Sequence, residues 1–127
     1  MSVPVTVIGT GLGPDSKRCG MPPCAPEGLG PEEFFKECRP PCAHFVAENY
    51  GHMDVLDDDS QLDITGKVCC SLCVNCKGPR GPMRKCVAGI VVAFLNYYFY
   101  DEKKDFMTIV DDPNVAPVKL DEVEFNI

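Results

Sequence analysis

A β-branched run that ends in a glycine-rich turn is the feature that most constrains this chain. The run predicts a strand near the N-terminus and consists of Val3, Val5, Val7 and Ile8. A turn is predicted directly after it, over residues 9–14. Apolar side chains point to both sides of the run, so both faces of the strand should be covered, as in a parallel sheet packed between helices. The pattern therefore predicts an α/β fold.

A second strand and two helices are predicted further along the chain. A short helix should begin near Pro31, which suits a first helical turn, and should end before Pro40. An apolar strand follows over residues 43–47. The clearest helix covers residues 83–98, because apolar side chains recur there every three to four residues. They are Met83, Cys86, Val87, Ile90, Val91, Phe94 and Tyr98.

Loops and a C-terminal extension complete the expected organisation. Glycine, proline and charged residues predict loops over residues 15–31, 60–82 and 101–105. The tail over residues 116–127 is expected to be an edge strand or an extended cover. Two parallel strands alone would leave both sheet edges unpaired. We therefore expect residues 1–127 to form the C-terminal part of a larger α/β domain.

Charge and hydropathy argue against a nucleic-acid-binding protein and against a membrane-spanning one. The chain carries 12 Lys+Arg against 19 Asp+Glu, for a net charge of −7, and no basic stripe is present to neutralise the phosphates of a nucleic acid. The longest apolar run, residues 86–95, is about half of the roughly 20 residues that span a bilayer. The N-terminal residues show neither a signal-peptide pattern nor the composition of a transit peptide.

The two histidines have different expected roles. Functional groups in open α/β sheets lie at the carboxyl ends of strands. His52 follows the second predicted strand, directly after Gly51, and is well placed to act as a general base. The alternative is a solvated loop histidine without a role. His44 lies inside the strand and should be a packed residue.

An acidic cluster follows His52 in the sequence. It consists of Asp54, Asp57, Asp58 and Asp59. The spacing of an EF-hand loop is absent, so a solvated acidic loop is favoured over a calcium site. Asp54 lies two residues from His52, which leads to the hypothesis that it affects the pKa of that histidine.

No nucleophile accompanies this candidate base. None of the serines lies in the G-x-S-x-G pattern of a strand-to-helix elbow, and no cysteine stands at such an elbow either. The serines are Ser2, Ser16, Ser60 and Ser71. Residues 9–13 contain three glycines but lack the lysine of a phosphate-binding loop.

Nine cysteines leave the pairing pattern open. A zinc site could be built from the run that holds most of them, together with one distant partner. These residues are Cys69, Cys70, Cys73, Cys76 and Cys86. Strong zinc patterns join two C-x2-C units across a defined spacer, which this run does not do. Disulfides or free thiols are therefore favoured over zinc.

Several stretches, in order, resemble plant chlorophyllases. They cover residues 7–13, 22–28, 34–42, 50–59, 82–84 and 91–95. The most specific is Tyr-Gly-His-Met-Asp-Val-Leu-Asp-Asp-Asp over residues 50–59. The resemblance extends over nearly the whole chain.

This resemblance implies a serine esterase of the α/β-hydrolase fold, of which the chain would supply the last strands and the final helix. It implies cleavage of the phytyl ester of chlorophyll to chlorophyllide and phytol, in the chloroplast. The family's catalytic histidine matches His52, in agreement with the order Ser, Asp, His along such chains. The resemblance implies no cofactor and no protein-bound metal, since the magnesium belongs to the pigment.

The sequence departs from the family in one respect. The family's G-H-S-R-G-G nucleophile motif, its acidic partner and its oxyanion-hole loop belong upstream of the matched region and do not occur in these residues. We therefore expect the 127 residues alone to be inactive. The alternatives are a non-catalytic chain that binds pigment or a partner chain, and a zinc-stabilised cysteine-rich module.

Overall fold

The computed structural model describes residues 2–17, 19–57 and 72–127. Within these ranges the sheet has three strands in the order β1-β2-β3, with β1 and β2 parallel and β3 antiparallel to β2. The strands are β1, Val5–Thr10; β2, Cys42–Ala47; and β3, Leu120–Asn126. A mixed α/β architecture is therefore confirmed. It is compatible with the C-terminal part of an α/β-hydrolase.

The first helix connects the two parallel strands. Helix α1 (Pro31–Glu37) has its proline in the first turn and its acidic residues, Glu32 and Glu33, at the positive end of the helix dipole. It begins where the sequence predicts. Phe35 is its buried residue, and its ring stacks on His44 of β2 with centroids 5.2 Å apart.

The C-terminal tail forms the edge strand that the sequence allowed. Strand β3 pairs antiparallel with β2, so within the described residues one edge of the two parallel strands is covered by the tail itself. Leu120 and Val118 are buried, whereas the charged residues of β3 are exposed. Charged side chains on an edge strand discourage pairing with other chains.

The long helix α2 (Gly81–Phe99) covers the other face of the sheet. It extends slightly beyond the predicted helix at both ends. Its buried residues are Met83, Cys86, Ile90 and Ala93, which follow the expected helical spacing. They pack in one core with Ala43, Phe45 and Ala47 of β2. No helix in the described ranges is long and apolar enough to cross a bilayer.

Two details of the predicted secondary structure are wrong. The charged loop expected over residues 101–105 stops early, because helix α3 (Lys104–Asp111) begins inside it. The buried Phe106 explains this helix: its ring lies 5.9 Å from Phe45 and 5.3 Å from Phe125, between the helices and the sheet. Strand β1 also begins after Val3 and continues through Thr10 instead of ending before the glycines.

Phe106→Ala should lower the free energy of unfolding by about 3–5 kcal/mol, because it removes a ring from a closed aromatic cluster. Urea denaturation followed by circular dichroism measures the effect. The matched control is Phe34→Ala on α1, where the ring is 66% exposed, and there a change within about 0.5 kcal/mol is expected. Equal losses in both variants would contradict this placement of the core.

Candidate functional site

The turns that follow β1 and β2 lie side by side. The backbone N–H of Gly11 donates to the carbonyl of Ala47 at 2.8 Å, and that of Leu12 donates to the carbonyl of Tyr50 at 3.0 Å. A side chain at position 11 would collide with the carbonyl of Glu48, so this close approach requires glycine. The carboxyl ends of the two parallel strands therefore form one edge, where α/β proteins place their functional groups.

His52 lies on the turn that leaves this edge, and its side chain is exposed. The turn is closed by hydrogen bonds from Asp54 N to the carbonyl of Gly51 and from Leu56 N to the carbonyl of Met53. Gly51 itself is buried, and a side chain there would collide with the carbonyl of Val74. The backbone of the turn that carries His52 therefore packs directly against the backbone at Val74.

Asp54 is fully buried, so the expectation that it belongs to a solvated acidic loop is wrong. Its Oδ1 accepts a hydrogen bond from Arg80 Nε at 3.0 Å. Its Oδ2 accepts from the backbone N–H of Gly51 at 2.6 Å and from that of Cys76 at 2.7 Å. Charge-assisted bonds to both oxygens explain why a carboxylate is tolerated in the interior. Asp57, by contrast, is exposed, and Asp58 and Asp59 lie outside the described residues.

Arg80, the partner of Asp54, is also buried and directly precedes helix α2. Its guanidinium donates further to the side chain of Asn75 at 3.3 Å and to the carbonyl of Asp57 at 3.4 Å. The His52 turn is therefore fastened to the first residues of α2. Sequence reasoning missed Arg80, because a single arginine between a loop and a helix carries no signal that it is buried.

Asp54 contacts the backbone of its own turn and Arg80, not His52. In the part of the chain that the structure describes, no hydrogen bond joins Asp54 to His52, and both carboxylate oxygens are bound elsewhere. The hypothesis of a direct effect of Asp54 on the pKa of His52 stays untested. The imidazole of His52 is therefore exposed, while the backbone of its turn is held by the hydrogen bond from Gly51 N–H to Asp54. Such an imidazole can accept a proton from a group brought to this edge of the sheet.

One cysteine of the proposed zinc set, Cys73, forms a disulfide. Cys73 is bonded to Cys24, which joins two loops 49 residues apart. A disulfide sulfur cannot serve as a thiolate ligand, so the zinc set that includes Cys73 is wrong. Cys69 and Cys70 lie outside the described residues. Burial is the main cause that raises the pKa of the Cys76 thiol, and the negative charge of the nearby Asp54 carboxylate adds to it. The thiol therefore stays protonated at neutral pH.

The remaining histidine behaves as the strand pattern predicts. His44 is buried in β2 and does not reach the His52 turn through any described hydrogen bond. The structure thus separates the two histidines into one exposed and one buried side chain.

Comparison with known proteins identifies the family. A family model described as Chlorophyllase matches residues 1–127. The chain belongs to the chlorophyllase family. It is 52% identical to Chlorophyllase-1, chloroplastic, of Citrus sinensis over 98% of its length, and 50% identical to Chlorophyllase-1 of Arabidopsis thaliana over 95%. Chlorophyllase-2 of Arabidopsis thaliana is 44% identical over 95% of the chain.

The chain spans only part of these chlorophyllases. It covers 37% of the Citrus sinensis protein and 38% of Chlorophyllase-2 of Arabidopsis thaliana. The matched region is a C-terminal portion of the relatives. The family resemblance seen in the sequence is thereby confirmed.

Arg80→Ala should destabilise the chain by about 3–5 kcal/mol, because it leaves the buried Asp54 carboxylate without its cation. Thermal and urea unfolding measure the loss. The control is Arg39→Ala at an exposed arginine, for which a change within about 0.5 kcal/mol is expected. If the two arginine variants unfold alike, the ion pair does not hold this site together.

Proposed function

We propose that this chain is the C-terminal part of a chlorophyllase with the α/β-hydrolase fold, and that His52 is its general base. The observation that carries the proposal is the exposed His52 on a turn fastened by Asp54 and Arg80, in a chain of the chlorophyllase family. The substrate would be chlorophyll, and the products chlorophyllide and phytol. Relatives that are named chloroplastic support a location in the chloroplast.

The fold gives independent support for a larger domain. Strands β1 and β2 run parallel and are joined through α1, as in the open sheets of α/β enzymes. The outer edge of β1 has no strand partner among the described residues. We propose that further strands of a longer chlorophyllase pair there, so that residues 1–127 form one portion of a single hydrolase domain.

The proposed mechanism requires a serine from outside these 127 residues. His52 would take the proton of the serine hydroxyl as its oxygen attacks the ester carbonyl. It would then return that proton to the departing phytol oxygen, which leaves chlorophyllide bound as an acyl-enzyme. In the second half-reaction, His52 would take a proton from the water that attacks the acyl-enzyme. It would then give that proton to the departing serine oxygen, which releases chlorophyllide and restores the serine hydroxyl and the neutral imidazole.

The residues of this chain set the geometry of that proton transfer. A general base must lie within hydrogen-bond reach of the hydroxyl it activates, so its backbone has to be held in place. Asp54 holds the N–H of Gly51, directly before His52, and Arg80 holds Asp54. Since no serine of the chain lies in a G-x-S-x-G elbow, the 127 residues alone should release no chlorophyllide.

A chimera tests this assignment. Residues 1–127 would replace the matching C-terminal portion of Chlorophyllase-1 of Citrus sinensis, and chlorophyllide release would be followed by phase partition and absorbance. The chimera should be active and the isolated chain inactive. His52→Ala in the chimera should lower kcat by about 10⁴-fold or more, because triad members act as a unit.

The matched control is Val55→Ala, which alters an exposed side chain three residues from His52 and should leave kcat within about twofold. Circular dichroism must show equal folding of the two variants. Activity that survives His52→Ala, or turnover by the isolated chain that His52→Ala abolishes, would contradict the proposed roles.

A further inference from the structure

The pairing of β2 with β3 gathers three potential metal ligands on one face of the sheet. His44 lies directly opposite Glu124, and Val46 lies opposite Glu122. Side chains two residues apart on a strand share a face, so both glutamates stand beside the histidine. One ligand atom from each of His44, Glu122 and Glu124 lies within 4.8 Å of the other two.

The imidazole of His44 provides a second, independent observation. Its side chain is 1% exposed, yet within the described residues neither Nδ1 nor Nε2 has a hydrogen-bond partner. Buried polar nitrogens without a partner are destabilising, so native structures normally provide one. Phe35 stacks on the ring and fixes its plane, but a phenyl ring offers no acceptor for either nitrogen.

The charge around this histidine favours a cation. His44 lines a surface groove together with four acidic residues, namely Glu27, Glu32, Asp121 and Glu122. Lys36 is bound to Glu32 at 2.7 Å and to Glu33 at 3.4 Å. For Glu122 and Glu124 the described residues contain no ion pair with a lysine or arginine, so their charge is not compensated locally.

We propose that His44, Glu122 and Glu124 bind one divalent transition-metal ion, which clamps edge strand β3 to β2. One imidazole nitrogen and two carboxylate oxygens suit ions such as Mn²⁺ or Zn²⁺, with water completing the coordination. Ligand atoms bonded to one ion at about 2.0–2.2 Å lie no more than about 4.4 Å apart, and the exposed side chains of Glu122 and Glu124 can adjust to reach that spacing. The ion would supply the partner that the buried imidazole lacks.

This role is structural and does not depend on the proposed esterase reaction. A ligand that binds only the folded chain raises its stability in proportion to the logarithm of its free concentration. Because β3 closes one edge of the sheet, the gain should appear as a rise in the midpoint of thermal unfolding. Activity is not needed as a readout.

The test titrates the tag-free chain with Mn²⁺ and follows the free ion by electron paramagnetic resonance. Mn²⁺ is chosen because the free cysteines, whose sulfur is a soft ligand, would compete for Zn²⁺ but bind Mn²⁺ weakly. One equivalent should bind and raise the unfolding midpoint. Glu122→Gln/Glu124→Gln changes exposed side chains only, so the fold should survive, while affinity should fall by about tenfold or more.

The control is Glu102→Gln/Asp111→Asn, which makes the same charge change at exposed positions outside the site and should leave binding unchanged. The chain has only two histidines, so in the His52→Ala variant any nitrogen coupling of bound Mn²⁺ from an imidazole must come from His44. Absence of binding, equal weakening in the control, or absence of that nitrogen coupling would each overturn the proposal.

Discussion

The buried ion pair between Asp54 and Arg80 is the interaction on which the candidate site depends. It joins the turn after β2 to the first residues of α2. Oδ2 of Asp54 also accepts hydrogen bonds from the backbone N–H groups of Gly51 and Cys76. Two charges removed from water are stable only when their hydrogen bonds are satisfied. This pair meets that condition, and it therefore specifies one conformation for the turn that carries His52.

Much of the fold follows from local patterns that the sequence displays directly. Pro31 marks the start of α1, the apolar stripe from Met83 to Ile90 marks α2, and the β-branched run marks β1. Helix α3 escaped prediction because its charged first residues resemble a loop, and Phe106 reveals its helical face only once Phe45 and Phe125 surround it. Tertiary packing, not local propensity, decides that element.

The site was only partly predictable for a similar reason. His52 stands at the carboxyl end of a strand, a position that sequence and topology identify together. Asp54 looks like its acidic neighbours in sequence, and only Arg80, 26 residues later, distinguishes it as a buried group. Cys73 likewise looks like a zinc ligand until its bond to Cys24 is known. Long-range partners of this kind leave no trace in residue spacing.

We propose that Asp54 and Arg80 position His52 without binding substrate. Kinetics of Arg80→Lys in the chlorophyllase chimera test this role most directly. Lysine keeps the positive charge but loses the planar fork that reaches Asp54, Asn75 and Asp57 together. We expect kcat to fall by about tenfold or more while KM stays within about twofold, because the base is displaced and the substrate contacts are intact. A folded variant with an unchanged kcat, or with a raised KM alone, would contradict it.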